Sequence, residues 1–182
     1  MKRIFDIFFS SIALAIFLLP SAIIFFIIIV FYKHPVLFLQ YRIGKNKKPF
    51  KIFKFQTLVD EKATKLGTFL RKTGLDETPQ FINVFKGDMS IVGPRALTNY
   101  DIERLKWTSE FYSIRWEIKP GITGFAQIYG GQNKKTSWFW DKKYYQKNNL
   151  FIDFLVVLFS FLINIFGKIR IRRMIWANKH LN

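Results

Sequence analysis

Residues Leu75–Arg95, LDETPQFINVFKGDMSIVGPR, decide how this chain is read. They set adjacent carboxylates, helix-start chemistry and a glycine-proline-arginine turn one after another. Asp76 and Glu77 stand just ahead of Pro79, and proline is favoured in a first helical turn, where its missing N–H would have had no partner. Phe81, Ile82, Val84 and Phe85 recur at near-helical spacing, and Gly87 supplies a stop. The spacing predicts a short helix from about Glu77 to Lys86 with Asp76 as its N-cap. At such an end, unbonded N–H groups and the helix dipole stabilise a carboxylate as the anion and attract phosphate. An ionised carboxylate can attack phosphorus, and a second one beside it can hold a divalent cation. Taken alone, the pair is more commonly just an N-cap and a first-turn acid.

Outward from this stretch the chain is apolar and basic. Its 182 residues suggest one domain of ordinary size. It carries 22 Phe, more than a soluble core of this length needs, so part of that surface is expected to face lipid. A formal net charge of +17 calls for an anionic partner, nucleic acid or phospholipid headgroups. The basic residues cluster beside membrane-like apolar runs and no nucleic-acid motif is present, which argues against nucleic acid. There is no cysteine, which excludes disulfides and thiolate metal sites.

Ile4 to Tyr32 is nearly continuous apolar sequence. As one straight helix it would run roughly 43 Å, beyond a hydrocarbon core of about 30 Å, and Pro20 near its middle is expected to break or kink it. Lys2 and Arg3 precede the run, and Lys33, Arg42, Lys45, Lys47, Lys48, Lys51 and Lys54 follow it. If Lys and Arg mark one membrane side, both ends belong there, and a bent helix entering and leaving one leaflet is the simplest solution. A kinked spanning helix is the alternative. Beyond it, Val36–Leu39 and Phe50–Phe55 read as short strands. Asp60 to Thr64 reads as a charged linker, and Tyr100 to Trp116 as a helix. Pro120-Gly121-Ile122-Thr123-Gly124 reads as a turn whose glycines permit left-handed backbone. Leu150 to Phe166 predicts an amphipathic helix at the interface, followed by a basic tail with Lys168, Arg170, Arg172 and Arg173.

Several multi-residue motifs occur in a fixed order: Lys51-Ile52-Phe53-Lys54-Phe55, Leu75-Asp76-Glu77 with Pro79-Gln80, Asn83-Val84 with Lys86-Gly87-Asp88-Met89-Ser90, Val92-Gly93-Pro94-Arg95, and Lys119-Pro120-Gly121-Ile122-Thr123-Gly124 with Ala126-Gln127. Over nearly the whole chain this resembles the bacterial sugar transferases, the monotopic phosphoglycosyl transferases, and among them the minimal single-domain members. The resemblance implies a mixed, helix-rich α/β monotopic membrane protein. Residues 1–33 would form a re-entrant helix kinked at Pro20, residues 34–149 a small globular catalytic domain, and residues 150–182 the interfacial amphipathic helix and basic tail. It implies a place at the bacterial inner (cytoplasmic) membrane, among its phospholipids, with the catalytic domain facing the cytoplasm. A homodimer is compatible with such short membrane elements.

The chemistry implied by the resemblance is transfer of a phosphosugar from a UDP-sugar to undecaprenyl phosphate with Mg2+. Asp76 would attack the phosphorus nearest the sugar, UMP would leave, and the lipid phosphate would then take the phosphosugar. Glu77 would bind the metal, while Lys54, Arg71, Gln80, Arg95 and Asp141 would face the substrates. The chain also departs from the family pattern. Gln56 stands where a cation is usual, Leu58 replaces a methionine, Ala96 replaces a second proline, and Gly131 replaces an arginine, with Lys134 or Lys135 the nearest substitutes. Gln56 and Gly131 keep open a second reading, a catalytically weak or inactive membrane-surface scaffold.

Overall fold

The structure, a computed structural model, describes residues 1–129 and 134–166. Gly131 and the basic tail lie outside the described residues. The N-terminal apolar run forms one helix, α1 (Lys2–Ile27), continued by a π-helical turn over Ile28–Tyr32. The helix is not interrupted at Pro20, which stands inside it. Proline removes only one rung of the hydrogen-bond ladder, and the turns on either side are held by other elements. Phe17 stacks on Phe81 with ring centres 6.1 Å apart, and the Ser21 hydroxyl lies 3.5 Å from that of Thr78.

α1 is turned inside out relative to a soluble helix. Arg3, Asp6, Ser10, Phe17, Ser21, Ile24 and Ile28 recur at three- and four-residue multiples and so share one face. On it Asp6 and Ser10 are buried, and Asp6 Oδ1 accepts from Ser90 Oγ at 2.8 Å and the Ile91 N–H at 3.0 Å. Ile4, Phe8, Ile16, Leu18, Leu19, Phe26 and Phe31 are exposed on the other side.

The two predicted strands are present as an antiparallel hairpin, β1 (Leu37–Ile43) and β2 (Pro49–Phe55), with Leu37 opposite Phe55 and Ile43 opposite Pro49. Because side chains alternate along a strand, Phe38, Gln40, Arg42 and Lys54 share one face. The expected linker at Asp60–Thr64 is instead mostly a small hairpin, β3 (Leu58–Val59) and β4 (Lys62–Ala63). Asp60 and Glu61 both take positive φ at its tip, the geometry of tight two-residue hairpin turns.

Helix α2 (Lys65–Thr73) starts on Thr64, whose hydroxyl accepts from the Gly67 N–H at 2.8 Å, and stops at Gly74 in left-handed backbone. The central stretch then departs from its expected form. Asp76 and Glu77 lie in a 3₁₀ turn (Leu75–Glu77) rather than at a helix start, and α3 (Gln80–Lys86) begins after Pro79 with no side-chain cap. The Leu75 carbonyl accepts from both the Thr78 N–H and the Thr78 hydroxyl, closing the turn, and Pro79 has no N–H to carry the ladder across. Asn83 on α3 is fully buried. Its Oδ1 accepts from the Phe53 N–H at 3.0 Å and its Nδ2 donates to the Lys51 carbonyl at 2.7 Å, keying α3 to β2 one residue away from Lys54.

β5 (Ser90–Val92) pairs in parallel with β6 (Gly121–Thr123). Gly121 and Gly124 are not in left-handed backbone; among the described glycines only Gly74 and Gly87 have positive φ. The requirement at Gly121 and Gly93 is room, since a Cβ on Gly121 would sit 2.1 Å from the Gly93 nitrogen and one on Gly93 2.3 Å from the Lys119 carbonyl oxygen. The predicted helix over Tyr100–Trp116 is likewise two pieces, α4 (Asn99–Arg104) and a 3₁₀ segment (Glu110–Glu117), parted where Lys106 turns to positive φ. The chain closes with α5 (Phe125–Tyr129), α6 (Lys134–Lys147) and α7 (Leu150–Phe166). The main core gathers Phe50, Ile52, Val84, Met89, Val92, Ile128 and Tyr144, and Ile24 of α1 and Ile28 of the π-helical turn join Phe55 and Leu70 in a second cluster.

Candidate active site

The face of the β1–β2 hairpin that carries Gln40, Arg42 and Lys54 meets α2 and the Leu75–Glu77 turn, enclosing a cleft of about 540 Å³. Asp76 and Glu77 line it, with Arg42, Lys54, Arg71, Lys72 and Arg95 around them. Five cations around two carboxylates make a site suited to a multiply charged anion.

Glu77 is engaged by Lys54, whose Nζ donates to Glu77 Oε1 at 2.5 Å. Asp76 has no salt bridge among the described residues and is half-buried. Burial pushes its carboxyl up from the usual range, as does the neighbouring Glu77 charge, while Lys54 and Arg71 pull it down. This departs from the expectation that a helix N-terminus would favour the Asp76 anion, since burial and the Glu77 charge outweigh what lowers the pKa. Arg71 Nε donates to Thr57 Oγ1 at 2.8 Å, which spends one edge of the guanidinium on a buried hydroxyl and fixes its direction. The backbone of α2 is pressed onto Thr57, where a Cβ on Gly67 would meet the Thr57 carbonyl oxygen at 2.1 Å. Thr57→Val is therefore expected to leave the fold intact but loosen Arg71, weakening binding of a phosphate-bearing ligand about tenfold. Thr57→Ser, which keeps the hydroxyl, should restore it, and calorimetric titration of both variants checks this.

The structure brings together Lys54, Arg71, Asp76, Glu77 and Arg95, five of the seven residues expected at the site. It does not bring Gln80 or Asp141 there. Gln80 is buried in the first turn of α3, and its Nε2 lacks a hydrogen-bond partner among the described residues. Asp141 is buried and paired with Arg115, whose Nε donates to Asp141 Oδ2 at 2.9 Å. Arg115 Nη2 in turn donates to the Arg95 carbonyl oxygen. Asp141 thus supports the Gly93-Pro94-Arg95 turn from behind, because on α6 it faces the core and not the cleft. This brace supplies rigidity that the missing second proline at Ala96 does not. Gln56 lines the cleft, where its amide donates to the Leu58 carbonyl at 2.8 Å.

Arg42, Thr57 and Arg115 were not foreseen as site residues. Arg42 carried a legible signal, since Phe38, Gln40 and Arg42 alternate along β1 on the face that holds Lys54. In the structure Arg42 reaches the Ala96 carbonyl oxygen at 3.2 Å and Asp101 at 3.4 Å, tying the hairpin to the chain just after Arg95. Nothing local in the sequence marks Thr57 or Arg115, which act through contacts across the fold.

Fold and cleft together define a helix-rich α/β protein with one long apolar N-terminal helix and a cationic cleft built around a carboxylate pair. The chain belongs to the bacterial sugar transferase family, whose sequence model matches residues 1–167. It is 41% identical over 161 residues to "Uncharacterized sugar transferase EpsL" of Bacillus subtilis, a match covering 79% of this chain and 74% of that protein. It is 46% identical over 110 residues to the UDP-glucose:undecaprenyl-phosphate glucose-1-phosphate transferase of Escherichia coli, covering 53% of this chain and 24% of that protein. It is 35% identical over 145 residues to the UDP-N-acetylgalactosamine-undecaprenyl-phosphate N-acetylgalactosaminephosphotransferase of Aeromonas hydrophila, covering 68% of this chain and 34% of that protein. The match therefore takes in most of the Bacillus protein but about a quarter to a third of the other two.

Proposed function

We propose that this protein transfers a phosphosugar from a UDP-sugar to undecaprenyl phosphate at the cytoplasmic face of the bacterial inner membrane, through a covalent intermediate on Asp76. The observation that carries this reading is the placement of Asp76 and Glu77 in a cleft with Lys54, Arg71 and Arg95. The names of the Escherichia coli and Aeromonas relatives support the donor and acceptor classes. An Asp76 carboxylate oxygen attacks the phosphorus nearest the sugar, the bond from that phosphorus to the UMP oxygen breaks, and UMP leaves. An oxygen of the lipid phosphate then attacks the same phosphorus, the bond to Asp76 breaks, and the carboxylate is regenerated. Arg71 and Arg95 hold phosphate oxygens through both steps.

Among the described residues no cluster of three or more acidic or His side chains is present. Mg2+ does not require one, since it is commonly held by one or two carboxylates together with substrate phosphates. The donor set here fits that pattern, with Glu77 as ligand once Lys54 yields its oxygen. When bound, the ion would neutralise charge on the diphosphate. Lys54 is the residue that keeps Glu77 paired in the absence of substrate.

Contacts at both ends of α1 support the re-entrant reading of its topology. Arg3 donates to the carbonyls of Val84 and Phe85 at 2.6 Å each, and Lys2 pairs with Asp153 at 2.5 Å. Ile24 and Ile28, at the far end, pack on Phe55 and Leu70. Two ends holding the same domain are what a re-entrant helix requires, with both ends on one side of the bilayer and its exposed Ile, Leu and Phe side chains toward the lipid.

The test is UMP release from a panel of UDP-sugars by solubilised protein with undecaprenyl phosphate and Mg2+. Lipid-dependent release with one donor establishes the reaction and identifies the sugar. Absence of release with every donor, from folded protein, turns the reading to the scaffold. Asp76 acts as the anion, so kcat/KM should rise with pH through its raised pKa and be lost below it. Lys54 is one of the charges that lower that pKa, so Lys54→Met is expected to move the acidic limb to higher pH. Rates of UMP release across acid pH for both proteins measure the shift; an unmoved limb would mean that another group controls it.

A further inference from the structure

We infer that the acceptor's isoprenoid chain lies in an apolar groove between α1 and α7, and that Asn164 holds its phosphate where the groove meets the catalytic cleft. This rests on the transferase reading above and adds the place and the residue for its lipid substrate.

The groove has a volume of about 660 Å³. Phe9, Ile12 and Ile16 of α1 form one wall, and Val157, Phe161 and Ile163 of α7 the other. The groove is continuous with the cleft, because Gly74, Glu77 and Asn164 line both. Polarity changes sharply at that junction. On the cleft side stand Arg71, Asp76 and Arg95, and on the groove side the lining is largely Ile, Phe and Val. A nucleotide sugar has no business among those side chains, whereas a phosphate on a hydrocarbon chain matches both halves at once. The walls of the groove pass directly into the exposed apolar surfaces of α1 and α7, where Ile12, Ile16 and Phe161 are exposed. A lipid can therefore enter sideways from the bilayer, keeping the distal part of its chain there.

Asn164 is the uncharged polar group at the junction, beside Glu77. Helix α7 has three polar residues, and two are already engaged. Asp153 is buried and bonded to Lys2 and Tyr144, and the Ser160 hydroxyl is bonded to Thr123 and donates to the Val156 carbonyl. The Asn164 side chain makes no hydrogen bond among the described residues, and its Nδ2 lies 3.9 Å from where a Cβ on Gly74 would stand, two residues before Asp76. A carboxamide offers two N–H donors to phosphate oxygens without adding charge, at the end of α7 where the largely apolar groove gives way to the cleft. Gly74 itself is called for by its left-handed backbone (φ 74°), and the amide stands at ordinary contact distance from where its Cβ would be.

The experiment uses the full chain in lipid nanodiscs with two variants and two readouts. Asn164→Leu removes the amide at an exposed site, and Ala13→Trp fills the groove from α1. Asn164→Leu is expected to raise KM for both long-chain and short-chain polyprenyl phosphates about tenfold, with KM for the UDP-sugar unchanged. Asn164→Gln, which keeps the amide, should recover most of the loss. Ala13→Trp should raise KM for the long-chain acceptor only. The second readout needs no catalysis: a photoreactive long-chain polyprenyl phosphate should label peptides of α1 and α7 in the wild type, and fail to do so in Ala13→Trp. Wild-type acceptor KM in both variants, or donor and acceptor KM raised alike, would overturn the inference. Labelling that a bilayer phospholipid competes as well as polyprenyl phosphate would overturn it too, and assign the groove to structural lipid. If the wild type releases no UMP yet is labelled in the groove, the transferase reading fails while the lipid site stands.

Discussion

Asp76→Asn is expected to abolish transfer, lowering UMP release by about 10⁴-fold or more, the scale seen when a nucleophile that works as part of a unit is removed. The substitution keeps the size and shape of the side chain in a turn that is held by backbone bonds and by Thr78, not by the Asp76 carboxylate. Stability should change little. Binding of the UDP-sugar should also change little, since Arg71 and Arg95 remain to hold the diphosphate and Glu77 would still bind Mg2+. The loss then falls on kcat, as expected when an interaction is made only in the transition state. Single-turnover UMP release without lipid, together with capture of labelled phosphosugar on the protein, measures this directly. Wild-type protein should carry the label and Asp76→Asn should not. A variant that keeps a tenth of wild-type turnover would rule out attack by Asp76 and point to direct transfer between donor and lipid.

Asp141→Ala should have the largest effect on stability, although Asp141 lies outside the cleft. Arg115 and Asp141 are both almost fully buried and joined by a 2.9 Å bond, and Arg115 also sits over the rings of Trp107 and Trp116. Removing the carboxylate leaves the guanidinium buried without its counter-charge, which costs about 3–5 kcal/mol. For a chain of this length that corresponds to a fall in Tm of about 10 °C or more. Activity should fall as well, because Arg115 is the donor that holds the Arg95 carbonyl. The double variant Arg115→Met with Asp141→Leu removes both charges and should regain much of the stability. It should regain less of the activity, since the bond to Arg95 is not replaced. Thermal unfolding of the three proteins separates these outcomes; a single variant as stable as the wild type would mean that Arg115 finds another partner.

Gln56 and Gly131 made loss of activity a real alternative when the chain was read alone. The cleft still holds five cations, with Arg42 supplied by β1, so the missing charge at Gln56 does not leave the carboxylates unopposed. The two predicted strands, the glycine stop of α3 and the apolar nature of α1 and α7 were all legible, because each depends on the spacing of side chains a few residues apart. So were Lys54, Arg71, Asp76, Glu77 and Arg95, since they stand in motifs whose order along the chain is itself a signal.

Other features depended on contacts between distant segments. Pro20 reads locally as a helix breaker, yet Phe17 and Ser21 are held on Phe81 and Thr78, and the helix continues. Gly93 and Gly121 read as turn residues, and their actual constraint is the close passage of two backbones nearly thirty positions apart. Asp141 reads as a site residue by its motif and proves to be the partner of Arg115, a pairing that no spacing along α6 announces. Local periodicity is written by short-range sterics and by which side chains avoid water, and a single sequence states both. Which faces then meet, and so which charge finds which partner, is settled only when the whole chain closes, because that choice is made by packing summed over elements that do not adjoin in sequence.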